Sequence, residues 1–229
     1  MDIQTKKEFL EFLSGYLTEN RRKLFDQVIR YRTRHITVVL EDIYQPHNAS
    51  AVLRSADLTG VQDIHIIENR NKYEVNPEVA MGSSKWLNLI KYNQAEDNTL
   101  AAYEALRKAG YRIVATTPHT RDQILEDIPI EGKMALVFGT ELKGLSETAI
   151  AEADEYLRIP MYGFTESYNI SVSAALILFT LTEKMRKSSV PWQLSEEEKL
   201  DILLEWAKRT LKHADLYEKE FLEKRKSGG

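Results

Sequence analysis

The chain has 229 residues, 43% of them hydrophobic and 29% charged, with a formal net charge of −4 and no cysteine. This supports one α/β domain with helical extensions, or two small domains, and argues against wholesale disorder. Without cysteine there are no disulfides, thiolate metal ligands or cysteine nucleophile, and no apolar run is long enough to cross a bilayer, so a cytoplasmic protein without a membrane partner is expected.

Residues 1–34 read as an N-terminal helical extension of two short helices. Phe9, Phe12, Leu13, Tyr16 and Leu17 recur at helical spacing, and Leu24, Val28, Ile29 and Tyr31 suggest a second apolar face. Arg21, Arg22, Lys23, Arg30, Arg32 and Arg34 stand against the single acid Asp26, so this stretch is locally basic although the chain is acidic. Local charge matters more than the total for nucleic-acid binding, and the alternative is a solvated helix face.

Residues 35–187 alternate strand-like and helix-like segments. Strands are expected at 36–40, 63–67, 87–91, 111–116, 134–138 and 155–159, several of them near-continuous runs of Val, Ile and Leu. Such runs suit parallel strands buried on both faces. Helices are expected at 47–58, 99–109, 147–153 and 170–187, with Gly60 and Gly110 where helices end. The alternation predicts a parallel sheet covered by helices. Residues 188–229 read as a C-terminal helical tail, which opens on Ser195 and Glu198 in capping-box spacing and continues with Leu200, Leu203, Leu204, Ala207 and Leu211.

Neither a phosphate loop of the GxxxxGK[ST] type nor a GxGxxG turn or GxSxG elbow is present, and the five histidines show no metal-ligand spacing. Three polar segments remain, each following a strand-like run. In the first, Pro46 and Asn48 mark a helix start and Arg54 follows six residues on, about 9 Å up the axis. A long arginine leaning toward the helix N-terminus would suit a phosphodiester; an N-cap Asn with a surface Arg is the plainer reading. The second, FGTELKGLS, places Glu141 between Gly139 and Gly144, where glycine allows close backbone approach to a ligand. The third runs IPMYGFTESYNISVSAALIL, and its Ser167, Asn169, Ser171 and Ser173 exceed what capping one apolar helix requires.

Taken together and in order, these segments resemble motifs 1, 2 and 3 of the TrmH branch of the SPOUT superfamily, the knotted RNA 2′-O-ribose methyltransferases. GSSKW at 82–86 is similar to the stretch between the first two motifs, and the resemblance spans residues 36–187. It implies an α/β parallel-sheet domain over 35–187 with a deep C-terminal trefoil knot, a homodimer, S-adenosylmethionine as methyl donor, and an RNA substrate, with tRNA suggested by the helical flanks. By position it implies Asn48, Arg54, Glu141, Ser167 and Asn169 as catalytic residues. It implies Thr116, Gly139, Gly144, Ile159 and Tyr168 as cofactor contacts, and makes the basic stretch an RNA-binding candidate. Tyr168 and Glu166 depart from the Leu and Gln common in the family. The expected reaction is methylation of guanosine 18 in the tRNA D-loop; another tRNA nucleotide, rRNA, or a non-catalytic knotted RNA binder are the alternatives.

Overall fold

Strand β1 (Ile36–Glu41) lies inside the chain's sheet, and its burial explains the rest. All six residues are buried, so both faces must be covered. Ile36, Val38 and Leu40 join one apolar cluster and Val39 the other, the two-residue alternation of a pleated strand. The computed structural model describes residues 1–74, 76–118, 122–140 and 142–227.

Within these, two helices come first, α1 (Ile3–Ser14) and α2 (Glu19–Val28). After β1 follow α3 (Pro46–Thr59), β2 (Asp63–Ile67), the short α4 (Pro77–Ala80), β3 (Asn88–Tyr92), α5 (Thr99–Lys108) and β4 (Tyr111–Thr116). Next come β5 (Gln123–Ile124), β6 (Lys133–Phe138), α6 (Glu147–Ala151), β7 (Glu155–Arg158), α7 (Ile170–Arg186), α8 (Glu196–Thr210) and α9 (Ala214–Ser227). The sheet order is β3-β2-β1-β6-β4-β7-β5, and every pairing is parallel. The α/β parallel sheet expected from the sequence is therefore present. The two-residue β5 is an edge strand that no hydrophobic pattern announced.

The chain divides into two compact units, 33–192 and the combination of 1–32 with 193–229. In the larger, α3 and α7 pack together, and their Val52, Leu53, Ala56, Ile177, Leu178 and Leu181 share a core with one face of the sheet. The other face is covered from α5 and α6 through Ala102, Tyr103, Leu106 and Ala149. The chain runs from β1 outward to β3 and then crosses to β4 on the other side, which creates a switch point in strand order. Ligands of open α/β sheets bind at the carboxyl ends of strands near such a point.

Helix ends largely follow their sequence signals. Gly60 ends α3 in the left-handed conformation at φ 84°, and Ser195 and Glu198 form the full capping box of α8. The start of α3 differs from expectation: Gln45 is its N-cap, Pro46 is the first helical residue, and Asn48 lies inside the first turn. Pro46 sets this start because its ring fixes φ and its missing N–H costs nothing there.

In the smaller unit, α1 packs against α8. Phe9 and Phe221 have ring centroids 4.9 Å apart, and Phe25 meets Trp206 at 5.4 Å. Lys6 pairs with Asp201 at 2.6 Å. Of the second apolar face expected here, Ile29 is buried, whereas Leu24 and Tyr31 are exposed and Phe25 is buried in their place.

On β2, His65 is buried and its Nδ1 lies 3.0 Å from the Tyr92 hydroxyl. Burial holds its pKa down at about 4, while Asp63 pulls weakly the other way. The folded state thus binds this proton less readily than the unfolded chain, whose histidine titrates near 6.5. Stability from this source is complete above about pH 6.5 and is lost as pH falls toward 4. The full loss amounts to roughly 3 kcal/mol. Urea titrations at neutral and mildly acidic pH will show this slope, and His65→Gln will flatten it; an unchanged slope in the variant would contradict the assignment.

Candidate functional site

Three strands end together at a cleft of about 350 Å³. Thr116 closes β4, Phe138 closes β6, and Leu157 lies near the end of β7. The cleft is further lined by Gly139, Gly144, Ile159, Ser167 and Tyr168, and by Ile170, Ser173 and Ile177 at the start of α7. All five residues expected at a cofactor, Thr116, Gly139, Gly144, Ile159 and Tyr168, therefore meet on one surface, joined by Ser167.

The loop after β6 owes its shape to two glycines. Thr140 and Gly144 exchange backbone hydrogen bonds of 2.9 Å in both directions, which holds these two residues against each other after β6. Gly144 sits at φ 67°, where side chains are strained, and a Cβ on Gly139 would overlap the carbonyl of Gly144 and the nitrogen of Leu145. Glu141 lies outside the described residues.

A buried acid braces this loop. Glu41, at the end of β1, accepts hydrogen bonds from Ser146 N at 2.8 Å, Ser146 Oγ at 2.7 Å and Thr99 Oγ1 at 2.7 Å. Ser146 in turn caps α6 through Ala149 N. The sequence reading gave Glu41 no role, although an acid closing the apolar run ITVVLE was a visible signal.

Motifs distant in sequence meet through side-chain amides. Asn169 Nδ2 donates to Asn48 Oδ1 at 3.2 Å across 121 positions, and Asn48 Nδ2 donates to Gln45 Oε1 at 2.9 Å. Asn169 Oδ1 also caps α7 by accepting from Ser171 N at 2.9 Å. Asn48 is thus buried and oriented from two sides, in place of the N-cap role open to it from sequence. Arg54 is not drawn into the cleft. It is exposed on α3 and carries no ion pair among the described residues.

The basic stretch needs correction at two of its six positions. Arg32 is 2% exposed, with its guanidinium 5.2 Å from the Trp206 ring centroid, so it serves the core of the smaller unit. Arg34 bonds Asp63 at 2.9 Å at the amino ends of the strands, the edge of the sheet opposite the cleft. Counting charges cannot separate a cation with a buried partner from one that faces water. Arg22, Lys23 and Arg30 are exposed, and Arg21 lies half-buried with its guanidinium 6.0 Å from the Phe25 ring centroid. In the tail, Lys208 pairs with Glu218 and Lys224 with Glu220, each at 2.7 Å.

Comparison with known proteins places this site in context. Residues 35–179 match the SpoU rRNA Methylase family. A tRNA (guanosine(18)-2′-O)-methyltransferase of Borreliella burgdorferi is 43% identical over 206 residues, 90% of this chain and 93% of the relative. The Thermus thermophilus protein of the same name is 34% identical, over 76% of this chain and 87% of its own. Among solved structures, the A. aeolicus TrmH/SpoU tRNA modifying enzyme superposes with a TM-score of 0.74 at 30% identity, over 85% of this chain and 98% of that one. The strand-end cleft, the amide contact beside it and relatives matched along most of their length lead to one conclusion: the chain belongs to the SpoU rRNA Methylase family.

Proposed function

We propose that the protein transfers a methyl group from S-adenosylmethionine to the ribose 2′-hydroxyl of guanosine 18 in tRNA, the reaction named for its relatives. The observation that carries this reading is the convergence of Thr116, Gly139, Gly144, Ile159, Ser167 and Tyr168 on one cleft, with the Asn48–Asn169 contact beside it.

The cleft suits the donor. Its volume lies in the range of small-ligand pockets. Leu157, Ile159, Ile170 and Ile177 offer an apolar surface to a purine, and the absent side chain at Gly139 allows the backbone to approach. When bound, S-adenosylmethionine supplies a methyl group already activated by a positive sulfur. The protein's task is then alignment and deprotonation of the acceptor hydroxyl.

A guanidinium stays protonated in proteins, so Arg54 is a poor base. In this reading Arg54 binds the phosphate beside the target ribose and orients the hydroxyl, whose proton passes to that phosphate or to water. Asn48, held by Gln45 and Asn169, fixes the hydroxyl's position, and Ser167 contacts the ribose from the cleft wall. Glu141 is carried over from the family resemblance as the second motif's acid.

The same resemblance supports a trefoil knot formed by the chain around the 139–144 loop, a homodimer and a cytoplasmic location. An unpartnered apolar stripe favours the dimer: Val172, Leu176 and Phe179 follow one another along α7 and are exposed, as is Leu58 on α3. Leu58 stands one turn from Arg54 on the same helix face, so pairing of two copies there would bring Arg54 to a partner's cleft. Among the described residues no helix is long and apolar enough to cross a membrane.

Arg21, Arg22, Lys23 and Arg30 are the remaining candidates for phosphate contact in the smaller unit, Lys23 while paired with Glu19 at 2.6 Å. Reversing the charge of Arg22 and Lys23 is expected to weaken tRNA binding at least tenfold at low salt while leaving S-adenosylhomocysteine affinity unchanged. Filter binding and calorimetry measure the two, and parallel losses would count against the assignment.

Incubating the protein with labelled donor and total RNA, then mapping the label, tests the activity itself. Label confined to tRNA at guanosine 18 is expected; label in rRNA or at another tRNA nucleotide would overturn the substrate, and no label would overturn the activity.

A further inference from the structure

A second cleft, of about 1110 Å³, shares residues 140 and 142–145 with the cofactor cleft as a common wall. It opens at the carboxyl ends of β1 and β2 and is polar. Glu96, Asp97 and Glu147 contribute acids to it. Tyr44, Gln45, Arg70 and Asn71 also line a smaller adjoining hollow of about 390 Å³, together with Lys72. Arg70 and Lys72 therefore stand where the two hollows join, with Glu74 beside them, while Lys143 stands on the shared wall.

Three features of that end are built rather than incidental. Tyr44 is 71% exposed while its neighbour Ile43 is buried, so the loop after β1 turns a flat aromatic ring to solvent. Asp42 adopts φ 53°, a conformation uncommon for residues other than glycine. Its Oδ1 accepts from the backbone nitrogens of Asn69 at 2.8 Å, Arg70 at 2.8 Å and Asn71 at 3.2 Å. Its own carbonyl accepts from Asn71 Nδ2 at 2.9 Å. Strain of this kind persists where surrounding bonds over-determine it, and here they fix the loop that carries Arg70 and Lys72. Both cations are exposed, and neither has an ion-pair partner among the described residues.

The third feature is continuity. Gln45 lines this second cleft and accepts the hydrogen bond from Asn48, which in turn accepts from Asn169, between the cleft-lining Tyr168 and Ile170. A nucleotide lying along Tyr44 and Gln45 is thus led to the place where the ribose would react.

We infer that the second cleft receives the RNA nucleotide flanking the methylated ribose, with Tyr44 as the stacking surface for its base and Arg70 and Lys72 as contacts to its phosphate. The inference rests on the methyl-transfer reading above and adds to it a strand path. An exposed aromatic ring beside unpaired cations is the combination single-stranded nucleic acid requires, since any base stacks on the ring and the cations follow the backbone. Glu96, Asp97 and Glu147 would repel phosphate from their part of the cleft, whereas at the other end two cations, Arg70 and Lys72, outweigh the single acid Glu74.

The test uses the full chain, an unmodified tRNA transcript and S-adenosylhomocysteine. Tyr44→Ala is expected to raise the KM for the transcript about tenfold, the size of one lost base stack, and Tyr44→Phe to stay within about twofold of wild type. The double variant Arg70→Ala, Lys72→Ala is expected to weaken transcript binding about tenfold and to lower the slope of log Kd against log salt by about 1.5. S-adenosylhomocysteine affinity is expected to be unchanged in all three. Unchanged KM and Kd would overturn the inference, as would equal losses in Tyr44→Phe and Tyr44→Ala or a parallel loss of S-adenosylhomocysteine binding. A wild-type protein that binds the transcript without transferring methyl would defeat the methyl-transfer reading, and the binding comparison would still decide the groove. A wild-type protein that does not bind the transcript overturns both.

Discussion

Arg54→Ala is expected to lower kcat by roughly a hundred- to a thousandfold, with stability and S-adenosylhomocysteine binding close to wild type. Arg54 is exposed, carries no ion pair among the described residues and lies outside the apolar core, so its removal leaves no unpaired charge and no cavity. Any large effect must then come from contact with substrate. Asn169→Ala is expected to have a similar effect on kcat, with a modest stability cost of about 1 kcal/mol because it also removes the cap of α7. If two copies build each site, mixing the two inactive variants restores part of the activity, since some mixed dimers then hold one intact site. Near-wild-type turnover of Arg54→Ala would remove Arg54 from the chemistry. Full inactivity of the mixture would assign both residues to one protomer's site.

Gly139→Ala is the second change with a large expected effect. A Cβ there would meet the backbone of Gly144 and Leu145, and neither can yield while the two 2.9 Å hydrogen bonds between Thr140 and Gly144 persist. The turn must open, and its residues form the wall shared by both clefts. The expected result is a loss of S-adenosylhomocysteine affinity of at least about thirtyfold, with a stability cost of roughly 1–3 kcal/mol for the overpacked contact. Gly144→Ala provides the comparison. Its Cβ would meet nothing within 4 Å, so only the strain of φ 67° remains, a cost of about 1–2 kcal/mol. Calorimetric titration of both variants separates close approach from backbone strain. Equal affinities would show that the turn does not shape the cleft.

The sheet was legible because its strands are buried on both faces. Runs such as ITVVL and MALVF have few readings other than the interior of a parallel sheet, and the strand limits moved by only a residue or so. β5 escaped because two residues carry no periodicity. The strand-end cleft was legible through order and spacing of motifs, since all five residues expected at a cofactor line it. Asn48 was harder. An asparagine near a helix start suggests a cap, and only the fold reveals that Pro46 moves the start upstream and turns Asn48 toward Asn169. Arg32 and Arg34 mislead for a related reason. Their partners, Trp206 and Asp63, lie 174 and 29 positions away, so local charge could not foretell that they are committed. The same distance hid the joining of the two ends of the chain into one helical unit.

The central claim is that this cleft and its amide pair methylate a ribose oxygen, and an acceptor altered at one atom tests it most directly. Two tRNA transcripts would be compared, one carrying guanosine at position 18 and the other 2′-deoxyguanosine there, each incubated with the protein and labelled S-adenosylmethionine. The account predicts about one methyl group per molecule on the first transcript and none on the second. Equal labelling of both would place the methyl elsewhere and contradict it.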